Sequence, residues 1–383
     1  MLYVMAVMLF YPGYCGWTDK VYGSDIITMH IPYFSFLYRS DELIPFWNVY
    51  SHCGSPAMAN IAYAMYYPIT WLANWIEPIT MSFLYASLHL IFLVHAADYW
   101  LSSIFTNRAI CRTGSILVLG GFTTGSLMAY GHQTVMVSFI GGFLSFGIVL
   151  RWLNESPWQL KRILTLVLVD SLMIFGGHPQ FFYQLQISLI LFVLFFYIFH
   201  KRIDLLKYIF NYLCLLSLTI CICWVQLSST LELSKFSVRG EGLLGPGFLG
   251  DDNLSPATIF KFLFPFHFGN VSKYWGQFDF WYGQYYFGLL GILGFIAFPY
   301  KILFLSDKKP FLENEVTGPP WKSLMMTSIC LFLIGLGNQT PLYGFYQNLP
   351  MADGFRLPFR YIYLIAVTLL PILMGGVWEA TQF

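Results

Sequence analysis

Charge is scarce in this chain. Lys and Arg number 20 and Asp and Glu 19 in 383 residues, so 10% of the side chains are charged, against about 25% in soluble domains. A soluble globular enzyme, a disordered chain and a nucleic-acid binder are excluded, because none presents so much apolar surface to water with so little charge. An excess of either sign is also lacking: the net charge is +1, so no polyanionic partner is indicated and the information lies in where charges fall. Cysteine is sparse, with seven residues and no metal-ligand spacing. Cys214, Cys221 and Cys223 sit in an apolar run as small hydrophobes, and Cys15 and Cys53 are the pair whose placement permits a disulfide. The first segment lacks a basic start and a small-x-small cleavage site, which excludes a cleavable signal peptide.

What is abundant is apolar: hydrophobic residues make up 57% and aromatic residues 20% of the chain. Lipid is the solvent that fits. Apolar runs of membrane-crossing character lie near 1–17, 80–105, 114–131, 134–152, 163–177, 181–199, 207–227, 283–304, 322–337 and 359–378. The expected fold is an all-α polytopic membrane protein of about ten transmembrane helices, with extracytoplasmic loops carrying short interfacial helices. Residues 61–76 are apolar but short and interrupted by Pro68, so they read as a re-entrant or interfacial segment.

Alternating the runs places twelve of the twenty basic residues on one face, among them Arg108, Arg112, Arg151, Lys161, Arg162, Lys201 and Arg202. The turns at 132–133 and 178–180 on the other face carry no Lys or Arg. By the positive-inside rule the basic face is cytoplasmic, and three long segments, 18–79, 228–282 and 338–358, lie outside. Chain 1–383 is then one transmembrane domain with its chemistry facing outward. The short first run and the apolar run at the C-terminus are those of a truncated or unusually short member of a larger family.

The first outer segment is dense in Asp, His, Arg, Trp and Tyr. Ile26, His30, Tyr33 and Leu37 recur at three- and four-residue spacing, which predicts a helix on the membrane surface with Asp25 at its N-terminus. Asp25 has two readings: an N-cap that stabilises the helix dipole, or a carboxylate that accepts a proton from a hydroxyl. Asp41-Glu42 has the composition of a divalent-cation site or of a solvated turn. Asp98 and Asp170 fall in or near apolar spans, where an ionisable group is costly. For Asp98 a structural pair with His95 is expected, and for Asp170 no partner can be named from the sequence.

GSDIITMHIPYFSFLYR (23–39) and IPFWNVYSHCGSPAMANIAYAMYYP (44–68) resemble the first extracytoplasmic loop of bacterial YfhO-type membrane proteins, within the GT-C class of glycosyltransferases. Gly177-His178-Pro179-Gln180 with Tyr183, the segment 225–242, WYGQYYFGLLGILG (281–294) and the segment 337–364 resemble further motifs of that family in the same order. His30 departs from it, standing where the family more often has Gln or Tyr. The resemblance implies a GT-C-like domain that moves a sugar from a polyprenyl-phosphate donor to an envelope polysaccharide, teichoic acid or glycolipid, outside a bacterial cytoplasmic membrane. It implies Asp25 as the base and inversion at the sugar C1.

The leaving lipid phosphate needs cations and N–H donors, for which His178, Arg239, Arg356 and Arg360 are the candidates. Arg356 and Arg360 share one helical face, or else snorkel at a helix end; His178 is alternatively the residue of a tight turn. His30 and Arg39 join the substrate-binding candidates, and Trp47 and Tyr282 are placed to stack on a sugar. No resident metal is assigned, although some GT-C enzymes use a divalent ion. The alternatives are a flippase or transporter of lipid-linked glycans and a degenerate, inactive copy.

Overall fold

The computed structural model describes residues 2–15, 23–51, 53–154, 160–176, 178–200, 205–236, 254–270, 272–276, 286–304, 320–350, 352 and 358–380. The chain is mostly helical. Among the described residues thirteen α-helices run in order: α1 (Leu2–Phe10), α2 (Ile31–Tyr38), α3 (Pro78–Leu101), α4 (Arg108–Gly120), α5 (Phe122–Tyr130), α6 (Gln133–Asn154), α7 (Leu160–Phe175), α8 (Pro179–His200), α9 (Leu205–Lys235), α10 (Gly288–Phe304), α11 (Trp321–Gly335), α12 (Pro341–Gln347) and α13 (Ile362–Ala380). Sheet among the described residues is confined to two antiparallel hairpins. One pairs β1 (Trp47–Asn48) with β2 (Ser55–Pro56), the other β3 (Gly269–Asn270) with β4 (Lys273–Tyr274).

Among the described residues four helices, α3, α6, α8 and α9, are long and apolar enough to cross a membrane. The helix α6 is the central one, with 89% of its apolar window buried, whereas α9 buries only 33% of its window. The face that α9 leaves open carries Phe210, Leu213, Ile222, Trp224 and Val225. So large an apolar face is costly against water and costs nothing against lipid tails.

Several expected spans take another form. The run at 1–17 holds a nine-residue helix, roughly 14 Å long, that folds back through a 3-10 turn at Pro12–Cys15. Tyr11 and Tyr14 anchor it by donating to the carbonyls of Leu119 (2.8 Å) and Met128 (2.7 Å). The run at 114–131 is two helices broken at Gly121, whose extended backbone (ψ 153°) ends α4. In the opposite sense, α9 continues to Lys235, well beyond the apolar run at 207–227, and residues at and just past the end of that run clasp the first loop. Gln226 donates to the Met58 carbonyl at 3.2 Å and Thr230 to the Ala59 carbonyl at 2.9 Å. Residues 61–76 hold no long helix and form two 3-10 turns, Ile61–Tyr63 and Pro68–Asn74.

Helix α3 packs on α6 and α4, α7 on α9 and α6, and α11 on α8 and α13. The tightest pairing joins α10 to α13, where a Cβ at Gly376 would collide with the Gly294 backbone. Small residues permit this approach, the main source of helix adhesion where no water is expelled. Trp100 is fully buried and donates from its indole to the Val367 carbonyl at 3.0 Å, joining α3 to α13.

A second apolar cluster, built from Phe34, Leu37, Tyr63, Tyr67, Met81 and Tyr85, lies under the first loop. Tyr33 stacks on Tyr63 at 3.8 Å, and the Tyr63 hydroxyl accepts from Asn48 at 2.8 Å. The loop is thus a packed subassembly that fixes where its N-terminal end sits. The predicted helical face is the one it buries: Ile26, His30 and Leu37 are buried and Tyr33 half-buried. Cys53 is a free, exposed thiol, so the disulfide with Cys15 is not formed.

Candidate functional site

The helix of the first loop begins irregularly. Residues Ile26–His30 form a π-helical turn that passes into α2, and such wide turns recur at functional positions. Asp25 holds the N-cap position with φ −69° and ψ −27°, yet its side chain makes no capping bond. The carboxylate turns outward instead, and Oδ2 lies 3.2 Å from His132 Nε2. Asp25 thus stands at the N-cap position without a side-chain capping bond.

Two glycines make this meeting geometrically possible. Gly23 (φ +100°) and Gly131 (φ +78°) both hold left-handed backbone, which other residues adopt only at a cost. A Cβ at Gly23 would lie 2.8 Å from the Gly131 backbone, and one at Gly131 would lie 2.8 Å from the Ile26 nitrogen. The turn at 23–26 and the turn between α5 and α6 therefore touch backbone to backbone. His30 is buried beneath them, 7% exposed, and its ring hydrogen-bonds to the Gly131 backbone.

His132 and His178 occupy matching places. The His132 carbonyl accepts from Met136 N–H at the start of α6, and the His178 carbonyl accepts from Phe181 N–H at the start of α8. Each histidine thus caps the N-terminus of a long helix, where the helix field is positive. Arg360, in the 3-10 turn Pro358–Tyr361 that leads into α13, reaches the second of them. Its Nη1 donates to His178 Nε2 at 2.9 Å and to Gln180 Oε1 at 3.1 Å, and the guanidinium lies 5.7 Å from the Phe181 ring centroid. Because a guanidinium only donates, His178 Nε2 is an acceptor and the ring proton is assigned to Nδ1.

Electrostatics joins the two halves. Burial raises the Asp25 carboxyl above the ordinary aspartate value of 3.8, while the Ser24 hydroxyl and the Arg360 charge pull it back. Burial, and then repulsion from Arg360, lower His132 to about 4. At neutral pH His132 is therefore uncharged, and its contact with Asp25 is a hydrogen bond donated by Nε2–H to a carboxylate. His30 is likewise held near 4, by burial first and then by His132 and His89. Asp25 remains 32% exposed and His132 13% exposed, so a ligand can reach the carboxylate.

The other expected site residues divide in two. Asp25, His178 and Arg360 come together; Arg39 and Trp47 do not join them. Arg39 caps the far end of α2, roughly 20 Å along the helix from Asp25. It lines a shallow surface cavity of about 390 Å³ with Asp41, Glu42, Trp47 and Tyr50, and its guanidinium lies 5.9 Å from the Tyr50 ring centroid. His30 faces inward. Arg239, Tyr282 and Arg356 lie outside the described residues. Among the described residues no group of three or more His, Cys, Asp or Glu side chains is arranged to hold a metal ion, Asp41-Glu42 included.

The residue that sequence reasoning missed is His132. Its signal is the echo between Gly131-His132-Gln133 and Gly177-His178-Pro179-Gln180. The turn at 178–180 stands out by its motif, whereas the turn at 132–133 is marked in the sequence only by its lack of Lys and Arg. Asp98 and His95 do not pair with each other; both meet Tyr3, with Asp98 on its hydroxyl and the His95 ring edge-on at 4.9 Å. Asp170 gains its partner, since Oδ2 accepts from Gln186 Nε2 at 3.4 Å, and Gln186 Oε1 accepts from the Tyr212 hydroxyl. This buried polar chain crosses α7, α8 and α9. Comparison with known proteins assigns no family: no protein-family profile, no curated protein and no solved structure matches this chain.

Proposed function

We propose that this protein is a GT-C-type glycosyltransferase of the YfhO kind. In this reading it uses a polyprenyl-phosphate sugar on the outer face of a bacterial cytoplasmic membrane and crosses that membrane about ten times. The observation that carries the reading is the arrangement at Asp25. A carboxylate that spends no bond on its own helix is held by neutral His132, close to Arg360 and to the N-termini of α6 and α8.

The chemistry needs those two sub-sites side by side. Asp25 takes the proton of the acceptor hydroxyl as that oxygen attacks the sugar C1. The C1–O bond to phosphate breaks with its electron pair, and the sugar inverts. The departing lipid phosphate is already an anion, so it needs positive charge and N–H donors rather than a proton. Arg360 and the two helix N-termini provide both. His132 keeps the carboxylate oriented without neutralising it, because its own charge is suppressed.

The acceptor is an envelope polysaccharide, a teichoic acid or a glycolipid. The test is incorporation of labelled sugar from polyprenyl-phosphate donors by membranes carrying the protein, with the anomeric configuration of the product determined. Transfer with inversion is expected; retention would remove the single-displacement role of Asp25, and no transfer from any such donor would remove the function. A second reading, a transporter of lipid-linked glycans, draws on the buried chain Asp170–Gln186–Tyr212. It predicts movement of the lipid-linked glycan across vesicles without any new glycosidic bond.

A further inference from the structure

The end of the bundle opposite Asp25 holds a second feature that the proposed reaction does not use. Arg151 lies in the last turn of α6, nineteen residues after His132 and so roughly 28 Å away along the helix. It joins Lys161 and Arg162, from the first turn of α7, and Thr165 in lining a cavity of about 450 Å³. Among the described residues no carboxylate lines this cavity. Cations at a helix N-terminus oppose the helix field, so an anion in the cavity would be attracted by the three cations that line it and by the helix end together.

Arg151 is already positioned. Its Nη2 donates to Ser102 Oγ at 2.8 Å and to the Tyr99 carbonyl at 3.3 Å, and the guanidinium lies 4.4 Å from the Tyr99 ring centroid. Its buried Nε has no partner among the described residues. The basic cavity adjoins a second one of about 490 Å³ between α3, α6 and α7, with Tyr99, Leu144 and Val169 lining both. That second cavity is almost wholly apolar, with Phe92, Ile140 and Met173 in its walls. An elongated apolar groove that ends in three cations has the amphipathic layout of a lipid.

We propose that this groove binds an anionic glycerophospholipid, its phosphate among Arg151, Lys161 and Arg162 and an acyl chain along the α3–α6–α7 groove. The charge distribution puts this end in the cytoplasmic leaflet, where anionic lipids attract basic side chains. The site is separate from Asp25 and does not depend on the glycosyltransferase reading.

The test uses the full chain purified in neutral detergent, with native mass spectrometry of added phosphatidylglycerol and of phosphatidylcholine carrying the same chains. Phosphatidylglycerol is expected to be retained and phosphatidylcholine lost. Removing a cation weakens binding about fivefold, so Lys161→Gln/Arg162→Gln should weaken phosphatidylglycerol binding roughly twenty-five-fold. Lys161 is exposed and Arg162 half-buried, and unchanged thermal unfolding of the variant checks that its packing is intact. Leu144→Trp should weaken it as well by filling the groove, and glycerol 3-phosphate should not compete at the lipid's concentration. Equal retention of the two lipids, or undiminished binding by the double variant, would overturn the proposal. Competition by glycerol 3-phosphate at the lipid's concentration would replace the lipid site with a soluble-phosphate site.

Discussion

Replacing Arg360 by Met should loosen the site and move its titration together. The guanidinium donates to His178 and to Gln180, and Gln180 is buried. A hydrogen bond from a charged donor contributes about 1.5–3 kcal/mol. Two such bonds, discounted because the arginine is only half-buried, place the loss at about 2–4 kcal/mol. The same substitution removes a positive charge that holds Asp25 down and His132 down, so both groups should titrate at higher pH than in the wild type. The assays are thermal unfolding in detergent and the pH dependence of sugar transfer. Arg360→Lys keeps the charge but not the fork that serves two acceptors; it should retain the wild-type pH profile while losing part of the stability. If Arg360→Met unfolds at the wild-type temperature and leaves the acid limb in place, Arg360 is a snorkelling helix-end arginine and the coupling described here is wrong.

Three other expectations follow from the same geometry. Activity should fall as pH drops through a value above the ordinary aspartate 3.8, because the reactive form is the carboxylate and burial raises Asp25; a pH–rate profile flat down to pH 4 would contradict it. Gly131→Ala should cost about 1–2 kcal/mol for its left-handed backbone and more for the contact with Ile26. It should lower transfer along with stability, whereas Gly344→Ala, with open space around its Cβ position, should leave transfer unchanged. Gln186→Leu removes the link between Asp170 and Tyr212 and should destabilise the protein by about 2–4 kcal/mol, since each buried group left without its partner costs about 1–3 kcal/mol; a neutral effect on thermal unfolding would show that the chain is dispensable.

Local pattern made much of this legible. The three- and four-residue spacing of Ile26, His30, Tyr33 and Leu37 marks both the helix and its buried face, and Pro68 marks an interruption in 61–76, where the chain forms two 3-10 turns rather than one long helix. Long apolar runs located α3, α6, α8 and α9. What pattern could not report is where a run breaks inside itself: Gly121 splits 114–131 by one extended residue, and nothing in the hydropathy of that run changes there. Nor could it report that α9 outlasts its apolar stretch, because the polar turn Gln226–Thr230 is helical for the sake of bonds to residues 58 and 59.

The site divides along the same line. Asp25, His178 and Arg360 are visible as unusual residues in loops of a chain with few charges. Their meeting is a long-range event, with Arg360 bonded to His178 across 182 positions. His132 was hidden because it looks like the filler of a two-residue turn. Its role comes from the backbone contact between Gly23 and Gly131, which no local pattern encodes. The choice between cap and base for Asp25 is likewise undecidable from residue type; what the structure adds is that the side chain makes no capping bond and meets His132 instead.

The most direct test of the central claim is the rate of sugar transfer by Asp25→Asn at equal amounts of folded protein. The substitution keeps size and shape while removing the charge that accepts a proton, and a positioned general base contributes roughly 10²- to 10⁴-fold. Transfer reduced at least a hundredfold, with unchanged thermal unfolding, is the predicted result. A variant that transfers sugar at the wild-type rate would contradict it, leaving Asp25 as a structural partner of His132 and sending the search for the base elsewhere.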